Sequence, residues 1–197
     1  MRELPKRKAP RLKEYDYSAA GYYFVTICSK DKQDIFGKIN HKFVGALLAC
    51  ARDNNSVKIK LTKIGQIIDS QWNNIPNQYN NVDVDQFIIM PNHLHGILII
   101  NNRAQASSAP TISQIIRSFK SKTTMEYLKY INQNNLNISG KIWQRSFYDH
   151  VIRNEKSLEE IREYIVNNPA KWDDDEYNMD AKNTRIAQTK TDPFPTP

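Results

Sequence analysis

The stretch Met90-Pro91-Asn92-His93-Leu94-His95 decides the fold, because it joins two strongly apolar runs through a Pro-Asn turn. The runs predict two strands, Val82 to Met90 and His93 to Ile100, that pair as a hairpin. Side chains at i and i+2 of a strand share one face, with Cα atoms about 7 Å apart. His93 and His95 can therefore converge on one metal ion or one phosphate, while Leu94 points into a core on the other face.

Apolar periodicity on both sides of the hairpin predicts two further strands, Tyr22 to Ser29 and the less regular Lys141 to Arg153. The predicted helices are His41 to Asp53, Thr62 to Trp72, one that starts at Thr111, and a last one that Ser157 opens as N-cap and Pro169 ends. The stretch Asn73 to Asn81 is a predicted loop, and Asn168 should be distorted because it precedes a proline. This order predicts an α+β fold whose antiparallel sheet is covered by helices on one face.

Charge is distributed unevenly along the 197 residues, which carry a net +7. Residues 1–13 hold six bases against one acid, and residues 173–197 hold six acids against three bases. We expect a flexible basic arm (1–13), one catalytic domain (14–172) and a flexible tail (173–197). A basic arm on a basic domain favours a polyanion such as nucleic acid, although a solvated surface explains charge alone equally well.

Other features disfavour several classes of protein. No apolar run approaches the roughly 20 residues that span a bilayer, and residues 1–8 lack the apolar core of a signal peptide. The two cysteines, Cys28 and Cys50, have neither metal-site spacing nor the density of a disulfide scaffold, which favours a cytoplasmic protein. The six glycines form no phosphate-binding loop, so we expect no nucleotide cofactor.

A second chemical element lies on the last predicted helix, where Tyr164 and Asn168 are four residues apart and emerge from one face. Taken alone, a His-x-His pair is more often a hydrogen-bonded or exposed pair than a metal site, and Tyr164 fits a core position as well. The residues by themselves leave metal binding open.

Three blocks in a fixed order carry a family resemblance: the histidine stretch, Ile142 to Arg153 with its Trp-Gln pair, and Tyr164-Ile165-Val166-Asn167-Asn168-Pro169. They resemble the single-tyrosine transposases with a histidine-hydrophobic-histidine (HUH) motif, and Tyr22 to Thr26 is similar to the first strand of that domain. The Trp-Gln block and the Asn-Pro pair look most like the branch associated with repetitive extragenic palindromes. The insertion-sequence branch usually has glutamine in place of Asn168.

This resemblance implies a ferredoxin-like domain of about four to five strands that cleaves and rejoins single-stranded DNA containing a hairpin. By residue match, Tyr164 is the nucleophile that forms a 5′-phosphotyrosine, and His93, His95 and Asn168 are metal ligands. The expected cofactor is Mg²⁺ or Mn²⁺, because a cation stabilises the charge that a phosphodiester gains in the transition state. Imidazole ligands suit Mn²⁺ better than Mg²⁺.

Basic and aromatic residues near these blocks are the expected DNA contacts. Tyr148 is also a competing nucleophile because Asp149 and His150 lie beside it, although alternation places Tyr148 and His150 on one face of a strand. The candidate DNA-binding residues are Arg117, Lys120, Lys122, Arg145, Tyr148 and Arg153.

Two other functions remain open. The first is a hairpin-binding regulatory protein of the same fold without cleavage, against which the joint presence of Tyr164 and both histidines argues. The second is a replication or relaxase-type nuclease, a class that is usually larger. By resemblance the protein is a monomer or a homodimer in the bacterial cytoplasm, and it associates with the nucleoid when bound to DNA. The acidic run Asp173 to Glu176 could compete with DNA for basic residues.

Overall fold

A computed structural model describes residues 16–39, 59–101 and 110–179. Its main sheet contains four antiparallel strands, namely β1 (Gly21–Cys28), β4 (Val82–Ile89), β5 (His93–Ile100) and β6 (Tyr148–Ile152), in the order β4-β5-β1-β6. Helix α1 (Lys63–Asn73) precedes β4 and helix α3 (Ile112–Gln133) precedes β6. This is the β-α-β-β-α-β arrangement of a ferredoxin-like domain, so the predicted α+β class is confirmed.

Smaller elements complete the described chain. Strands β2 (Gly37–Ile39) and β3 (Ile59–Leu61) pair with each other, and α2 (Ile75–Gln78) is a single turn. Helix α4 (Glu155–Asn167) runs directly into a 3-10 helix, Asn168–Asp174. No helix among the described residues is both long and apolar enough to cross a membrane.

The sheet has an apolar core on each face. The larger core joins Tyr23, Val25 and Leu94 of the sheet to residues of α1 and α3. The smaller core packs α4 against the opposite face through Phe24, Ile97, Ile152, Leu158 and Ile165. The prediction that the helices cover one face is thus right for α1 and α3 and wrong for α4. The reason is that β1 carries apolar side chains on both faces and can bury a layer on each side.

The starts of two helices agree with the sequence, since Thr62 caps α1 and Thr111 forms a capping box with Gln114 on α3. The predicted start of the last helix is wrong. Asn154 is its N-cap, and the Asn154 Oδ1 accepts the backbone N–H of Ser157 at 2.8 Å. Asparagine and serine are both good caps, and the one placed earlier accepts one of the free N–H groups of the first turn.

The predicted strand Lys141 to Arg153 is mostly irregular, because only Tyr148–Ile152 pairs continuously with β1. Trp143 makes an isolated bridge to Ser29. In between, the Lys120 ammonium donates to the carbonyls of Gln144 and Ser146 at 2.9 and 3.0 Å. A side chain therefore satisfies carbonyls that a continuous strand would direct at its neighbour.

The remaining sequence predictions agree with the structure only in part. The predicted loop Asn73 to Asn81 contains the α2 turn, in which Pro76 takes a first-turn position that needs no amide hydrogen. The basic arm, the predicted helix His41 to Asp53, Cys50 and residues 180–197 lie outside the described residues. Within residues 173–179, which the sequence assigns to a flexible tail, Asp175 and Tyr177 are half-buried and Asn178 is buried.

Candidate active site

The strand register places the two histidines on the same face as α4. His93 and His95 lie opposite Cys28 and Thr26 of β1, and their rings are 4.5 Å apart. Both side chains are buried, with exposed fractions of 0 and 2%. Leu94 points into the larger core, as predicted.

The hydrogen bonds of Asn92 determine which nitrogen of His93 carries the proton. The Asn92 Nδ2 donates to the carbonyls of Lys32 and Tyr177, so its Oδ1 is the atom that faces the His93 Nδ1 at 2.9 Å. An amide oxygen only accepts, and Nδ1 must therefore be protonated. In a neutral ring the His93 Nε2 then has a free lone pair, and this buried atom has no hydrogen-bond partner.

His95 is held between a threonine and the tyrosine of α4. Its Nδ1 lies 2.9 Å from the Thr26 Oγ1, and its Nε2 lies 3.3 Å from the Tyr164 hydroxyl. Burial lowers the pKa of His95 to about 3. Burial, followed by the neighbouring His95, also lowers the pKa of His93 well below its ordinary value. Both rings are thus neutral at pH 7, the state in which imidazole binds a metal.

Helix α4 brings Tyr164 to this face while leaving it open to solvent. The Tyr164 side chain is 43% exposed, and its ring lies 5.2 Å from His95 and 6.2 Å from Phe24. Burial raises the pKa of Tyr164, Asp175 and Glu176 raise it further, and a hydrogen bond with Asn168 opposes them. The chain alone therefore makes the phenol a weaker acid than in water.

Asn168 completes the group of residues that the sequence predicts for the site. It is buried beside the tyrosine, one helical turn on, and its Oδ1 has no hydrogen-bond partner. Its dihedral angles (φ −57°, ψ −41°) are helical, so the departure from helical dihedrals that Pro169 predicts does not occur at Asn168. The chain accommodates the proline by tightening into the 3-10 helix, where Pro169 occupies the first turn.

Sequence reasoning missed one acidic side chain at the site. The ligand atoms of His93, His95 and Asp175 all lie within 4.8 Å of one another. Asp175 directly follows the 3-10 helix, in the acidic run that the sequence assigns to a flexible tail. The buried Trp172, an aromatic residue beside that run, was the sequence signal that this part of the chain packs down.

The residues present fit a divalent cation. The His93 Nε2 and the Asn168 Oδ1 are buried acceptor atoms with no hydrogen-bond partner, an arrangement that is costly in an apolar interior unless something fills it. Nitrogen donors beside carboxylate and amide oxygens form a mixed set that suits Mn²⁺ better than Mg²⁺.

The candidate DNA-binding residues divide between the two faces of the sheet. Tyr148, 49% exposed, pairs with Thr26 and shares its face with His150 and the site, as alternation predicts. Arg153 is exposed directly after β6, and Arg145 is exposed in the irregular stretch that precedes β6. The other three candidates lie on α3, on the opposite face of the sheet: Arg117, Lys120 and Lys122. Burial lowers the pKa of Lys120 to about 8. The Lys122 ammonium donates to the side chain of Gln78.

An ion pair between α4 and the edge strand β4 holds the tyrosine helix in place. The Arg162 Nε and Nη2 both donate to the Asp85 Oδ2, at 3.1 and 2.6 Å. Asp85 lies where the β4–β5 register shifts, between Val84 and Phe87. This bulge turns an edge side chain toward the helix. The pair fixes α4 two residues before the tyrosine.

The fold and this tyrosine-histidine face are those expected of a DNA-processing transposase domain. The family model described as "Transposase IS200 like" matches residues 17–168, and the chain belongs to that family.

Three individual proteins are also similar to this chain. An uncharacterized protein of Haemophilus influenzae is 35% identical over 190 residues, which cover 88% of this chain and 94% of the relative. The solved structure of a REP-associated tyrosine transposase bound to a REP hairpin is similar at 18% identity and a TM-score of 0.49, over 82% of this chain and 74% of that one. A candidate transposase from Deinococcus radiodurans gives 14% identity and a TM-score of 0.42, over 80% of this chain and 95% of that one.

Proposed function

We propose that this protein cuts and rejoins single-stranded, hairpin-containing DNA through a covalent bond to Tyr164, with a divalent ion held by His93, His95 and Asn168. One observation carries the proposal. The hydroxyl of the partly exposed Tyr164 lies 3.3 Å from the His95 Nε2, on the face where the His93 Nε2 and Asn168 Oδ1 lack partners. Membership of the transposase family and a net charge of +7 support a DNA substrate.

In this mechanism the Tyr164 Oη attacks the phosphorus, the bond from phosphorus to the 3′ oxygen breaks, and the 5′ side stays on the tyrosine. The phenol releases its proton to solvent, to which Tyr164 is 43% exposed, and the departing 3′ oxygen takes up a proton. A second 3′-hydroxyl can reverse the reaction onto a new end without an external energy source, because the phosphodiester energy is retained.

A bound divalent ion would supply positive charge that stabilises both the phenolate and the phosphate in the transition state. The environment of Tyr164 supports a need for it, since burial and two acidic residues raise the pKa of this phenol. Thr26, Asn92 and the Arg162–Asp85 pair orient the histidines and the helix and touch no substrate in this scheme.

The test is a covalent adduct assay on a denaturing gel. Wild-type protein incubated with Mn²⁺ or Mg²⁺ and a hairpin from the DNA that flanks its own gene should form a protein–DNA adduct. Tyr164→Phe should abolish the adduct. Tyr148→Phe is the matched control because Tyr148 is an exposed tyrosine of the same face, with its ring 6.5 Å from Phe24.

The pattern of variants separates cleavage from binding alone. His95→Ala should lose the adduct and keep hairpin affinity. If wild type binds the hairpin tightly but forms no adduct with either ion, the protein is a binding factor and the proposed cleavage is wrong. An adduct that survives in Tyr164→Phe and disappears in Tyr148→Phe would make Tyr148 the nucleophile.

A further inference from the structure

Residues 168–179, here called the C-terminal segment, cover the histidine pair. The Trp172 ring stacks 6.1 Å from the His93 ring, and the Tyr177 ring lies 4.5 Å from it. The Asn92 Nδ2 donates to the Tyr177 carbonyl at 2.9 Å, and the Asn178 Nδ2 donates to the Trp172 carbonyl at 3.0 Å. The segment is thus fixed by ring packing, by one hydrogen bond from the residue that orients His93, and by one hydrogen bond within the segment.

Within this segment, Asp175 is the acidic residue directed at the histidines. Its Oδ1 accepts the backbone N–H of Tyr177 at 2.6 Å, and its own backbone N–H donates to the Trp172 carbonyl at 3.1 Å. A carboxylate that ligates a metal is commonly held in this way, with one hydrogen bond fixing its orientation. The carboxylate lies within 4.8 Å of the ligand nitrogens of both histidines.

We propose that Asp175 is a further ligand of the divalent ion, delivered by the C-terminal segment. This inference rests on the proposed function, because it concerns the same ion. Two neutral imidazoles and an amide bring no charge to a dication, whereas a carboxylate brings one negative charge and a hard oxygen donor. The family model matches residues 17–168 only, so Asp175 lies beyond the matched part of the chain.

A competing explanation makes the opposite prediction. Asp175 could stand where a DNA phosphate binds, so that its charge would weaken DNA binding without supporting the ion. In that case removing the carboxylate would leave metal affinity unchanged and strengthen binding of single-stranded DNA. Metal titration without DNA therefore separates the two roles.

The test is Mn²⁺ titration of the 197-residue chain without DNA, by calorimetry, with folding checked by thermal unfolding. Asp175→Asn and Asp175→Ala should weaken Mn²⁺ binding by about 10-fold or more, by comparison with the 10- to 100-fold cost of removing outer-shell partners. Glu176→Gln is the matched control, because it removes the same charge from the exposed neighbouring residue and should change affinity less than about 3-fold.

Each outcome has one meaning. Unchanged Mn²⁺ affinity in both Asp175 variants overturns the ligand role, and so does a wild type that binds no Mn²⁺ without DNA. Equal losses in Asp175→Asn and Glu176→Gln also overturn it, because the effect would then come from net charge. If Mn²⁺ binding depends on Asp175 and wild type forms no DNA adduct, the metal site stands and the proposed cleavage fails.

Discussion

Thr26→Val offers a sharp test of how the sheet prepares His95 for a metal ion. Thr26 is 3% exposed, and its Oγ1 lies 2.9 Å from the His95 Nδ1. Valine keeps the shape of threonine and removes the hydroxyl. If the Nε2 is to ligate the ion, the proton of the neutral ring must be on Nδ1, where the Thr26 hydroxyl accepts it.

The expected magnitudes differ between stability and metal binding. Without the hydroxyl, a buried Nδ1–H would lack a partner at a cost of about 1–3 kcal/mol. The ring can escape most of that cost by moving its proton to Nε2, where the Tyr164 hydroxyl lies 3.3 Å away and can accept it. The free energy of unfolding should therefore fall by only about 1 kcal/mol. Mn²⁺ affinity should fall about 10- to 100-fold, because the favoured tautomer no longer offers the Nε2 lone pair.

Two measurements check this reasoning. Calorimetric titration with Mn²⁺ gives the affinity, and nitrogen NMR of the metal-free protein reports which ring nitrogen of His95 carries the proton. Thr26→Ser is the control, since it keeps the hydroxyl and loses a methyl group. Equal Mn²⁺ affinity in Thr26→Val and wild type would refute the role of the hydroxyl, and so would a ring whose proton is already on Nε2 in wild type.

Three further predictions concern the framework of the site. Gly96→Ala should lower the free energy of unfolding by about 1–3 kcal/mol, because the added Cβ would lie 2.5 Å from the Trp72 Cζ2. An unchanged urea midpoint of unfolding would contradict this prediction. Arg162→Met should slow adduct formation more than it weakens hairpin binding, and it should lower the free energy of unfolding by about 1–2 kcal/mol. The loss should be smaller when Asp85 is already alanine, and additive losses would show that the pair does not act as a unit. Because burial lowers the pKa of His95 from 6.5 to about 3, the unfolded chain binds more protons between those values. The free energy of unfolding of the wild type in EDTA should thus fall as pH drops from 7 towards 4. The fall should be less steep in His95→Gln, and equal slopes in the two proteins would refute the prediction.

The local parts of the fold could be predicted from the sequence because they depend on short periodicities. A period of two residues places His93 and His95 on one face and Leu94 on the other, and the structure agrees. Threonines before apolar helical patterns identify the starts of α1 and α3. The roles of the site residues remain predictions until the adduct assay is done.

The non-local parts could not be predicted, for identifiable reasons. Strand β1 is apolar on both faces, so periodicity could not tell on which face α4 packs. The irregular stretch before β6 depends on the Lys120 ammonium, which satisfies two of its carbonyls from helix α3, 24 and 26 residues earlier in the sequence. Asp175 is one of four consecutive acidic residues, and only the fold distinguishes it from its neighbours.

The position of α4 also bears on whether the tyrosine serves its own chain. Only Arg153 and Asn154 separate β6 from the start of α4, which leaves little freedom for the helix to swing away. The helix is also held by Leu158 and Ile165 in the smaller core and by the Arg162–Asp85 pair. A helix exchanged between two chains would form the same contacts with the partner's sheet, so these contacts alone do not distinguish the two arrangements. The two-residue connection does, because it would have to extend for α4 to cross, and we therefore predict that Tyr164 faces the histidines of its own chain.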